Sequence, residues 1–140
     1  MALPQGNCPT VDGLWLRPYL VTPDDATPAL VGQNAIPAGI KVGQVGTVTN
    51  NANDWVVLPS LADVPNGHEI IVLCSAGGNF EMRTPDASGE KINNVDSDGT
   101  QEYLCTDTDI INVVKVNNTV GWVAQSLTYL GAVRTAVVPD

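Results

Sequence analysis

The chain has 140 residues and a formal net charge of -9, from 15 acidic and only six basic side chains. That length suits one hydrophobic core, and the charge excludes nucleic-acid binding through phosphate neutralisation and attraction to an anionic membrane surface. Charged residues make up 15% of the chain, against roughly 25% in an ordinary soluble domain, so much of the surface must be uncharged and suited to being covered.

The opening "MALPQGNCPTVDG" lacks the basic start and apolar centre of a signal peptide, and no apolar run approaches the ~20 residues that span a bilayer. The expectation is a protein made and kept in a cytosol. Pro4, Pro9, Pro18, Pro23, Pro28 and Pro37 then recur every five to ten residues, which forbids a continuous helix and removes ladder donors. Residues 1–40 are therefore read as an extended Pro-rich N-terminal arm preceding a β domain over residues 41–140. The arm carries Trp15, Leu16, Tyr19, Leu20, Val21, Leu30, Val31 and Ile36, too many apolar side chains for a solvated linker, so it must lie on its own domain or on a neighbouring subunit.

From Lys41 the punctuation is that of a β protein. "KVGQVGTVT" and "DWVVLPSL" flank "NNAN" and read as a hairpin. "HEIIVLCSA" is an unbroken apolar run, which predicts a strand buried on both faces. "GNFEMRT" alternates, with Phe80 and Met82 on one face and Glu81 and Arg83 on the other. "EYLCT" is another strand, and "DIINVVKV" with "VGWVAQSLTYL" forms a hairpin about Asn117 and Asn118. "GAVRTAVVPD" is a last β-branched stretch of the kind that pairs with something. No window has a capped helical period, so helices should be short or absent. The fold class is all-β, a small β-sandwich or barrel-like domain.

Each potential site has a structural alternative. Asn94, Asp96, Asp98 and Gly99 match the first half of a calcium loop, but the twelfth position is Cys105 rather than Glu, which favours a solvated turn; Glu102 belongs to the same acidic stretch. Asp107 and Asp109 stand near a strand entrance, where acids are normally solvated, rather than as an acid and base pair. His68, the only histidine, is read as an exposed turn residue, and Ser75 has no nucleophile elbow around it. Gly77 and Gly78 precede no helix and read as a turn. Asn117 to Thr119 spells a glycosylation sequon, without a secretion signal. Trp55 and Trp122 lie in strand patterns and are read as core, whereas Trp15 suits an interface anchor. Cys8, Cys74 and Cys105 lack CxxC spacing and are read as free, mostly buried thiols, with a Cys74 to Cys105 bridge as the alternative.

The run "GGNFEMRTPDASGEKINNVDSDGTQEY", followed by "VVKVNNTVGWVAQSLTYLGAV", resembles the small β domains of tailed-bacteriophage virion proteins, especially capsid decoration or cement proteins. The likeness covers Val64 to Val133, about half the chain. It implies a non-enzymatic protein without cofactor or metal, made in the host cytoplasm and carried on the capsid exterior of the virion. There it would clamp adjacent subunits of the major capsid protein, and a homo-oligomer is expected, with a trimer favoured. Within that frame Trp15, Leu16, Tyr19 and Leu20 are the expected capsid contact, and Val133, Val137 and Val138 the expected oligomer interface. The phrases "GEKIN" and "GWVA" also suit phage fibre and head-knob modules, so the alternative is receptor or glycan binding through loops around Asn79 and Asp96 to Gly99. A small hydrolase using Asp107, Asp109 or His68 is the third class.

Overall fold

The computed structural model describes residues 18–24, 34–45, 54–74, 77–97 and 102–133. Its strands are β1 (Tyr19–Val21), β2 (Val42–Val45), β3 (Trp55–Val57), β4 (Glu69–Cys74), β5 (Phe80–Arg83), β6 (Lys91–Ile92), β7 (Val95–Asp96), β8 (Tyr103–Cys105), β9 (Ile110–Asn117) and β10 (Gly121–Leu127). Among the described residues the only helical element is a 3-10 turn over Leu61–Asp63. Seven strands form one sheet in the order β1-β2-β4-β9-β10-β6-β7, and β3-β5-β8 form a second. The all-β sandwich expected from the strand and turn pattern is what the chain adopts.

Alternation builds the core between the sheets. Ile70, Val72 and Cys74 of β4, Ile111 and Val113 of β9, and Trp122 and Ala124 of β10 point inward. Val56, Phe80, Met82, Tyr103 and Cys105 meet them from the three-stranded sheet. Fully buried side chains such as Trp122, Tyr103 and Phe80 contribute about 2–3 kcal/mol each by leaving water. The Tyr103 hydroxyl and the Ser126 hydroxyl lie 2.8 Å apart, joining β8 to β10 across the core.

Polar locks set the register. Lys115 points inward from β9, and its ammonium donates to the carbonyls of Leu61 and Val64 at the 3-10 turn. That satisfies a charge whose burial would otherwise be costly. The Asn93 side chain both accepts from Ala124 N–H at 2.9 Å and donates to Ala124 C=O at 3.1 Å, substituting for a strand neighbour of β10. In the β9–β10 hairpin, Asn117 Oδ1 accepts from the backbone N–H of Thr119 and of Val120, both at 2.8 Å. The sequon therefore closes a side-chain-bonded turn. Gly121 pairs with Asn117 and Trp122 with Lys115, so Val116 is the extra residue of a β-bulge.

Three expectations need correction or refinement. β2 and β3 do not form a hairpin: β2 pairs in parallel with β1 and β4, and β3 pairs in parallel with β5 in the other sheet. Their apolar residues cover one core from opposite sides, a use that local sequence does not distinguish from a hairpin. β4 is buried on one face only, since Ile71 and Leu73 are half-buried and Glu69 is exposed. Within the first forty residues, Val21 and Ile36 belong to the core and Tyr19 and Ala38 pack against it, so the described parts of that segment lie on the chain's own domain.

Gly121 has φ +83°, and a Cβ there would collide with the carbonyl oxygen of Lys91. Gly121→Ala should therefore destabilise the fold by about 2–3 kcal/mol, measured as a lower denaturant midpoint with an unchanged slope.

Candidate functional site

The alternation that fills the core also builds a second apolar surface on the outside of the seven-stranded sheet. By register, Leu20 lies beside Gln44, Gln44 beside Leu73, Leu73 beside Ile110, Ile110 beside Leu127, and Leu127 beside Val133. At the usual strand spacing this row runs roughly 24 Å across the sheet. A second row pairs Ile71 with Asn112 and Gln125, and a third pairs Glu69 with Val114 and Val123. Glu69 is the only charged side chain that β4, β9 and β10 place on this face. Leu20 and Val133 are about 60% exposed (62% and 61%), and Ile110, Val116 and Val123 are also open to solvent. Beyond the end of β10, Tyr129 and Leu130 are exposed as well.

The outer side of the three-stranded sheet is built in the opposite way. Trp55 lies beside Glu81 in register, and the Arg83 guanidinium stacks 3.7 Å from the centre of its ring. Arg83 is ion-paired with Glu102 and lies 3.9 Å from Glu81. Trp55 is consequently buried under a charged cover. Trp122, by contrast, lies in the core between the sheets.

Of the expected contact residues, Leu20 and Val133 stand at opposite ends of the same row, while Tyr19 turns inward against the core. Trp15, Leu16, Val137 and Val138 lie outside the described residues, as do Cys8, Ser75, Asp98 and Gly99. Of the described part of the acidic stretch, Asp96 is exposed on β7 whereas Glu102 is buried against Arg83. Asn93 and Asn94, with φ of 53° and 67°, make the two-residue turn between β6 and β7. Among the described residues no three His, Cys, Asp or Glu side chains converge as metal ligands. Asp107 accepts from Gly77 N–H at 3.0 Å and pins the glycine turn. Asp109 is buried rather than solvated.

His68 corrects the expectation of an exposed turn residue, being 5% exposed and edge-on to the Trp122 ring at 6.4 Å between centroids. Its Nδ1 is 3.1 Å from the Lys41 ammonium, which can only donate, so Nδ1 accepts. Burial lowers the His68 pKa, and the charges of Lys41 and Lys115 lower it further. Cys74 and Cys105 are free and buried. Burial pushes the Cys105 thiol well up, reinforced by a bond with Cys74, which makes it a poor nucleophile. Tyr103 is likewise raised by burial, in part offset by its bond to Ser126.

The sequence reasoning missed Ile71, Leu73, Ile110, Val114 and Val123 as surface residues. One signal was present: "IINVVKV" has apolar residues in both phases of a two-residue period, so each face of that strand calls for cover.

The unfolded chain takes up a proton on His68 near the ordinary pKa of 6.5, while the folded chain resists it. The contribution of His68 to stability is thus complete above about pH 6.5 and is lost as pH falls below that value toward the lower folded-state pKa. Thermal unfolding of the protein should show a steeper fall in Tm over that acidic range than His68→Gln does. The chain matches no protein-family model, no curated protein and no solved structure.

Proposed function

We propose that this is a non-enzymatic structural protein that docks the outer face of its seven-stranded sheet onto a protein shell, as a decoration protein on the major capsid protein of a tailed-bacteriophage head. The reading is carried by the uncharged row from Leu20 through Leu73, Ile110 and Leu127 to Val133 on an open sheet face. The capsid as partner rests on the resemblance of residues 64–133 to phage head modules. In favour of a binding role, His68, Asp107 and Glu102 each have a structural partner: His68 has Lys41, Asp107 has Gly77, and Glu102 has Arg83.

Covering the exposed parts of Leu20, Ile110, Val116, Val123 and Val133 would contribute about 1 kcal/mol apiece, on the order of 5 kcal/mol together. Association costs at least a similar amount. One copy therefore binds weakly, and a homo-oligomer on a repeating lattice, with a trimer favoured, gains the missing affinity through avidity.

Ile110→Lys combined with Val123→Glu should change stability by no more than about 0.5 kcal/mol, because both sites are on the surface. Occupancy of this double variant on purified expanded heads should fall at least about tenfold, a loss of roughly 1.4 kcal/mol. Undiminished occupancy would discard the docking face, and saturable binding on a glycan array would favour the receptor-binding alternative.

A further inference from the structure

Away from that face, the segment 35–38, the stretch that follows β3 and the turn at 85–86 enclose a cleft of about 510 Å³, a size that admits a side chain together with flanking backbone. The half-buried Ala35, Pro37, Ala38 and Pro85 form its apolar walls, over a floor of the buried Ile36, Leu58 and Pro59. Three of these are prolines, whose fixed φ keeps the walls in place without an ordering cost on binding. Two carboxylates, Asp63 and Asp86, also line it and are exposed. Neither forms an ion pair among the described residues. Ser60 on the same wall donates to Glu90 at 2.8 Å, so a third carboxylate stands behind it.

An apolar trough edged by negative charge is complementary to one kind of side chain, a cation carried on an aliphatic stem. We infer that this cleft binds an arginine or lysine side chain presented by an extended segment of a partner protein, the stem lying against Ala35, Pro37, Ala38 and Pro85 and the head meeting Asp63 and Asp86. Arginine suits it better than lysine, because the guanidinium is more weakly hydrated and presents its donors in a planar fork matched to a carboxylate. The site stands apart from the sheet face and does not depend on whether that face docks on a capsid.

The test is a titration of isotope-labelled protein with the blocked peptide acetyl-Pro-Val-Arg-Val-Pro-amide, followed by amide chemical shifts. Saturable shifts should appear at Ile36, Ala38, Leu58 and Ser60, and the affinity should fall as salt is raised. The Asp63→Asn, Asp86→Asn double variant, with its Tm unchanged, should bind at least about fivefold more weakly, and so should the peptide with norleucine in place of arginine. No saturable shift at the cleft, shifts confined elsewhere, or equal affinity without the charges would each overturn the inference. So would n-butylguanidinium binding as tightly as the peptide, which would make the cleft a small-molecule site.

Discussion

The register of β9 between β4 and β10 is the constraint on which the rest of the molecule depends. With a side-chain period of two, β9 sends Ile111, Val113 and Lys115 inward and Ile110, Asn112, Val114 and Val116 outward. A slip of one residue would exchange the two sets, placing Asn112 in the core and Lys115 in solvent. Apolar burial discriminates weakly against that slip, because both sets contain isoleucine and valine. The discrimination comes from polar groups with a single solution: Lys115 on two carbonyls, Asn117 closing its turn, and Asn93 clamped on Ala124. The bulge at Val116 and the left-handed Gly121 absorb the mismatch at the hairpin end, where the Lys91 backbone comes too close for any Cβ.

Once register is set, the two sheets acquire unlike exteriors. On the three-stranded sheet a guanidinium lies over Trp55 and is neutralised by Glu102, so that aromatic surface is already covered. On the seven-stranded sheet the described residues leave Ile110 and Val123 open to solvent, and Glu69 alone brings charge to its central strands. A chain with a net charge of -9 repels its own copies through most of its surface, so the uncharged face is where a close approach costs least. The cleft edged by Asp63 and Asp86 follows the opposite logic and favours a cationic visitor. The molecule thus carries two surfaces of different chemistry, one largely apolar and the other edged by carboxylates.

Several buried polar groups join the packed elements of this arrangement. A thiol held protonated by burial, a histidine kept neutral by burial and by nearby lysines, and a tyrosine hydroxyl bonded across the core each lie between packed elements. Their environments disfavour the charged form of each group.

The sequence by itself determined the strands with strong alternation and the turns with demanding residues. Phe80 and Met82 share a buried face, Asn117 and Asn118 reverse β9 into β10, and the β-branched runs with few capping signals imply an all-β sandwich. These are local properties of side-chain period and backbone freedom, and a linear pattern records them. Tertiary structure alone decided that β2 and β3 belong to different sheets, that His68, Glu102 and Asp109 are buried, and that Leu20 and Val133 share one row of one face. Those outcomes depend on which strands become neighbours across long stretches of chain, and the free energy that selects the neighbours comes from one shared core rather than from any single segment.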